Sequence, residues 1–115
     1  MNSNRLKNKL EKLKLTIGSW LTIPKREIIE IMSLAGFEWL AIDMEHSPIS
    51  IQKAADLIAF IQSKNIEALV RVSSNDEVII KKVLDAGAHG IIIPMINSEE
   101  DAKKAVNFSK YPPEG

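Results

Sequence analysis

The 115 residues include no cysteine, which excludes a disulfide framework, thiolate metal ligation and a cysteine nucleophile. Charge of one sign is also lacking: Lys and Arg number 15, and Asp and Glu number 15. Without a net field, nothing draws the chain to nucleic acid or to an anionic membrane. A basic stripe interleaved with aromatics is missing too, so no nucleic acid is expected as a partner. No apolar run approaches the ~18–20 residues of a bilayer span. Met1 to Lys14 is broken by charges throughout, unlike a signal-peptide core. A Gly-rich strand-to-helix loop, which would cradle phosphate, is absent as well. Together these absences lead us to expect a soluble, cytoplasmic protein with no membrane partner. Neutrality has one positive consequence, which is little electrostatic resistance to self-association.

What is present is ordinary for a globular domain: 45% apolar and 26% charged residues, in a length that suits one domain. Leu6, Leu10 and Leu13 recur at helical spacing and predict a short helix that closes off the bottom of the domain. Strand and helix patterns then alternate. Thr16–Leu21 reads as a strand, and Pro24 suits the first turn of a helix whose apolar face is Ile28, Ile29, Ile31, Met32 and Ala35. Gly36 fits a left-handed helix end. Phe37–Asp43 is a second strand, nearly all apolar, as a parallel strand covered on both faces should be. Ser50 is a natural N-cap for a helix carrying Ala54, Ala55, Leu57, Ile58 and Ile61. Ala68–Val72 is a third strand. Asn75 or Asp76 caps a helix running to Asp85 and stopped at Gly87, and Gly90–Met95 is a fourth strand. Ser98 opens the last helix, with Glu99, Glu100 and Asp101 in its positive first turn. Four βα units of this kind predict an α/β fold with a parallel sheet and right-handed crossovers. Alternation alone does not choose between an open doubly wound sheet and a barrel.

The polar residues gather where strands end. Trp20 closes the first strand, Asp43, Glu45 and His46 follow the second, Arg71 lies late in the third, and Pro94 and Met95 close the fourth. Ligands of α/β folds bind at this rim. An imidazole beside carboxylates is held in one tautomer and serves as acid or base. A guanidinium in an apolar strand calls for an anion, and its fork suits a carboxylate. Each residue also has a plainer reading. His46 could cap or bond backbone, Glu45 reads as an ordinary loop acid, Arg71 could form a structural ion pair with Asp43, and Trp20 could be a core aromatic. His89 lies in the turn before the fourth strand, on the opposite rim, and reads as structural.

The runs Gly18-Ser-Trp20, Ala35-Gly-Phe-Glu-Trp-Leu-Ala-Ile-Asp-Met-Glu-His-Ser-Pro48, Val70-Arg-Val72, Ile80-Lys-Lys-Val-Leu-Asp-Ala-Gly87, Ile93-Pro94 and Tyr111-Pro-Pro-Glu-Gly115 resemble the HpcH/HpaI aldolase family. The resemblance extends from about Thr16 to the last residue. It implies a (β/α)8 TIM barrel, of which these residues form an N-terminal half of four βα units. It also implies reversible cleavage of 4-hydroxy-2-oxo acids to pyruvate and an aldehyde, with Mg²⁺ or Mn²⁺ as cofactor. By the same resemblance His46 is the acid/base residue, Arg71 holds the pyruvyl oxygens, Asp43 belongs to the surrounding polar network and Trp20 lies near the site wall. Asp85 is paired with the histidine, although an acid at a helix end belongs to the bottom rim, so a second subunit would have to present it.

A complete barrel takes roughly 250 residues. The Gln-x-Glu and Gly-x-x-Asp-Leu segments that carry the family's metal ligands do not occur here. The expectation is therefore an aldolase-type polypeptide, with little or no activity by itself, that associates as a homo-oligomer or with a complementary second half-barrel. The alternative is a non-catalytic oxo-acid binding or assembly module.

Overall fold

The computed structural model describes residues 5–110. The motif Tyr111-Pro-Pro-Glu-Gly115 lies outside them. The elements follow the chain as α1 (Arg5–Glu11), β1 (Gly18–Leu21), α2 (Arg26–Ser33), β2 (Trp39–Asp43), α3 (Ile51–Ser63), β3 (Glu67–Arg71), α4 (Glu77–Asp85), β4 (Gly90–Ile92) and α5 (Glu99–Phe108). All three strand pairings are parallel, and the sheet order is β1-β2-β3-β4. That order settles the alternative left open above. A doubly wound sheet reverses direction at a switch point, whereas sequential neighbours without reversal are the first four strands of a (β/α)8 barrel.

Strand alternation sends Leu21, Leu40, Ile42, Ala68, Val70 and Val72 to one face, where they form a single buried cluster with Ile29, Leu57, Ile58, Ile61, Ile80 and Val83 of the helices. The opposite face carries Trp20, Ala41, Asp43, Leu69 and Arg71, aligned by register. Parallel strands must be covered on the crossover side, because every connection returns over that face. The helices therefore take the outer face and leave the polar and aromatic residues on the inner one.

Local chemistry places the boundaries. Ser50, Asp76 and Ser98 each accept from the backbone N–H of the third residue of their helices, Lys53, Ile79 and Asp101 respectively. Asp76 rather than Asn75 is thus the cap of α4, and the Asn75 amide instead donates to the carbonyl of Asp101. Gly36 and Gly87 adopt φ of 83° and 100°, as left-handed helix exits require. Pro24 lies ahead of the Lys25 cap rather than inside the first turn of α2. The fourth strand ends at Ile92, short of Met95, because Pro94 has no N–H for the ladder and Met95 turns left-handed at φ 59°. In α1 only Leu6 is buried. Leu10 is half exposed, and Leu13 has left the helix with φ 55°, so the leucine stripe is shorter than its spacing suggests.

The third strand begins one residue earlier than the apolar pattern implies, at Glu67. This carboxylate is fully buried. His89 Nδ1 meets it closely, and Arg5 of α1 lies 3.5 Å away. The pair ties α1 and the turn before β4 to the bottom of the sheet, in keeping with a structural role for His89. At the same end of the sheet, the indole of Trp39, the first residue of β2, lies over Gly18, so a Cβ there would come within 1.9 Å of the ring. Gly18→Ala is expected to lower stability by about 1–3 kcal/mol through overpacking. Urea unfolding followed by tryptophan fluorescence measures this, and an unchanged midpoint would contradict it.

Candidate active site

The strand register places Asp43, the last residue of β2, directly beside Arg71, the last residue of β3. Adjacent parallel strands ending together bring the two side chains into a two-pronged pair. Arg71 Nε donates to Asp43 Oδ1 at 3.1 Å, and Nη2 donates to Oδ2 at 2.9 Å. Asp43 is 2% exposed, so it has to be compensated. The backbone N–H groups of Glu45 and His46 supply the rest, both donating to Oδ1 at 3.0 Å. One carboxylate thereby fixes the guanidinium and folds the loop after β2 into a tight turn.

Arg71 is restrained from two further directions. Its guanidinium carbon lies 4.1 Å from the centre of the Trp20 ring, a cation–π contact. Its Nε lies 3.4 Å from Glu45 Oε1. The same Glu45 oxygen is 3.3 Å from Nε2 of His46, whose side chain is 69% exposed. Trp20, Asp43, Glu45, His46 and Arg71 therefore form one connected group at the C-terminal rim of the sheet. Imidazole and guanidinium share that rim and are joined through a single carboxylate oxygen.

Hydrogen bonding by Arg71 pulls the Asp43 carboxyl down to about 2. Burial opposes this, and the two loop N–H groups and the Arg71 charge assist. Arg71 is raised in turn, mainly by its bond to Asp43. A depressed acid stabilises the fold above its unfolded pKa and loses that contribution as pH falls through the folded value. The contribution of Asp43 is therefore complete above about pH 4 and disappears toward pH 2. Melting temperatures of wild type and Asp43→Asn are expected to converge as pH drops from 5 to 2. A constant gap across that range would show that Asp43 is not held ionised by Arg71.

Asp85 is not part of this group. It is the exposed last residue of α4, and the chain passes from it through Gly87 to His89 at the N-terminal end of β4. His46 follows the C-terminal end of β2, so the two residues occupy opposite rims of the parallel sheet. Glu45, by contrast, belongs to the group although its sequence context suggested an ordinary loop acid. Ser50 caps α3, which leaves the Glu45 carboxylate to bridge Arg71 and His46. The signal in the sequence was an acid next to an imidazole directly after a strand.

The donor chemistry of the rim group does not suit a divalent ion held by Asp43 directly. Both oxygens of Asp43 accept from Arg71, and Oδ1 accepts two further N–H groups. No cluster of three or more His, Asp or Glu side chains arranged to ligate a metal exists among the described residues.

Residues 16–115 match the family described as HpcH/HpaI aldolase/citrate lyase. The chain belongs to that family. It is 38% identical over 112 residues to a pyruvate aldolase of Rhizobium etli, covering 97% of this chain and 44% of that protein. To a 5-keto-4-deoxy-D-glucarate aldolase of Citrobacter koseri it is 37% identical, with the same coverage. An HpcH/HpaI aldolase/citrate lyase family protein of Burkholderia cenocepacia superposes with a TM-score of 0.89 at 32% identity, over 97% of this chain and 46% of the other. The chain thus spans less than half the length of these relatives, and the four βα units correspond to a part of their fold. No helix among the described residues is long and apolar enough to cross a membrane.

Proposed function

We propose that the rim group binds the pyruvyl part of a 4-hydroxy-2-oxo acid and serves in its reversible cleavage to pyruvate and an aldehyde. The observation that carries this reading is the anchored guanidinium of Arg71. Asp43 takes Nε and Nη2, and Trp20 covers one face. Nη1 stays outside the pair as a preorganised donor for the carboxylate and keto oxygens. A guanidinium already fixed in place loses little further freedom on binding.

His46 supplies the proton chemistry. Its exposed imidazole takes the proton of the 4-hydroxyl as the C3–C4 bond breaks. The bond pair enters the pyruvate enolate, the aldehyde leaves, and the imidazolium returns the proton to C3. Arg71 faces the charge that develops on the enolate oxygen. The divalent ion implied by the resemblance would add Lewis-acid stabilisation, and we place its ligands outside the rim group. Participation of Asp85 requires a second copy of the chain, with its lower rim brought to this upper one.

Calorimetric titration with pyruvate and with oxalate tests the reading. Saturable binding of both, without added metal, is expected. Absence of any binding, with Mg²⁺ or Mn²⁺ present as well as without, would refute it. Metal-independent binding with no lyase turnover in any assembly of the chain would favour a binding module.

A further inference from the structure

We propose that Ala41 is a positioning residue of the rim group: its small side chain is the seat across which Trp20 passes over β2 to lie against Arg71. The part that concerns pyruvate rests on the function proposed above, whereas the part that concerns the seat does not.

Neighbouring strands lie about 4.8 Å apart, so β1 and β3 are separated by about 10 Å with β2 between them. The Trp20 ring nevertheless lies 4.1 Å from the guanidinium carbon of Arg71. Register shows what stands at that crossing. Trp20, Ala41, Leu69 and Gly90 share one level and one face of the sheet, so large and small residues alternate across it. One level below, Trp39 lies over Gly18, where a Cβ would come within 1.9 Å of the ring. On the Trp20 level, Leu69 lies over Gly90, where a Cβ would meet Cδ2 at 2.9 Å. Leu69 thus leans toward β4, away from Ala41. Ala41 faces the side opposite the helix layer and is still 0% exposed, whereas Trp20 is 39% exposed. The indole is the large neighbour left to cover it. Each of these bulky side chains lies across a small residue on the adjacent strand, and a branched side chain at position 41 would fill the space the indole crosses. Arg71 would then lose the face contact that, with Asp43, aims its Nη1.

Spectra of protein labelled with ¹⁵N at arginine test the seat without substrate. A proton held against an aromatic face resonates upfield, so the Arg71 Nε–H signal, assigned by its loss in Arg71→Lys, is expected upfield in wild type. Ala41→Ser, which conserves size, is expected to keep that shift, Ala41→Val to reduce it and Ala41→Leu to abolish it. Arg26 of α2 lies over Phe60 of α3 at 5.0 Å, so its signal is the control for folding in every variant. Where Ala41→Leu disturbs Arg26 as well, Ala41→Val decides. An Arg71 signal unmoved in the larger variants while Arg26 is intact would overturn the proposal, as would Ala41→Ser moving it as far as they do. In calorimetry, the largest variant that leaves Arg26 in place is expected to bind pyruvate roughly three- to tenfold more weakly than wild type, the worth of one cation–π contact. Ala41→Ser is expected to match wild type. Equal affinity throughout would overturn the part that concerns pyruvate. A wild type that binds no pyruvate counts against the function proposed above, and the spectra still decide the seat.

Discussion

Arg71→Ala is expected to weaken pyruvate and oxalate binding on the order of 10²-fold or more. Truncating one member of a buried, hydrogen-bonded charge pair costs roughly 2–5 kcal/mol of binding, and each ~1.4 kcal/mol is a factor of ten. Arg71→Lys keeps the charge but loses the planar fork toward Asp43 and the stacking on Trp20, so a smaller yet clear loss should follow. The alanine variant also strands Asp43 without its partner, since that carboxylate is almost wholly buried. Arg71→Ala combined with Asp43→Asn removes that complication, and circular dichroism verifies that each variant is folded. Calorimetry showing the double variant within threefold of wild type would remove Arg71 from the site.

The second large effect concerns turnover. With a 4-hydroxy-2-oxo acid and Mg²⁺ or Mn²⁺, this 115-residue polypeptide by itself is expected to release pyruvate at least ~10³-fold more slowly than the pyruvate aldolase of Rhizobium etli. Among the described residues the rim group offers the enolate oxygen a single cation, Arg71, whose Nε and Nη2 are already turned toward Asp43 and Glu45. Removing a principal stabiliser of a developing oxyanion costs factors of about 10²–10³, and an absent Lewis acid adds to this. A coupled assay for pyruvate reads the rate. A value within tenfold of the relative's would show that these four βα units are catalytically sufficient. Addition of a polypeptide carrying the remaining units of a relative is expected to raise the rate, because the outer edges of β1 and β4 have no strand neighbour among the described residues and an open edge pairs readily.

Much of the architecture could be read from short-range chemistry. Ser50 and Ser98 cap the helices their positions announced, and Gly36 and Gly87 take the left-handed exits expected of them. Misreadings occurred where tertiary neighbours outweighed local pattern. The third strand was read from Ala68, yet it starts at Glu67, whose burial His89 and Arg5 make possible. Leu13 looked like part of a helical stripe, but the helix ends at Glu11. Glu45 read as an ordinary loop acid because nothing in the sequence announces that the loop after β2 folds back over Asp43.

The sequence by itself determined the alternation of strands and helices, their caps and exits, the family, and the placing of Trp20, Asp43, His46 and Arg71 at strand ends. All of these follow from periodicity, from side-chain chemistry within a few positions, or from a long distinctive motif. Only the tertiary structure decided the strand order that makes the sheet a barrel segment, the capture of Arg71 by Asp43 across 28 positions, and the approach of Glu45 to the imidazole. Those outcomes depend on inter-strand register, in which a slip of one residue sends every side chain to the opposite face.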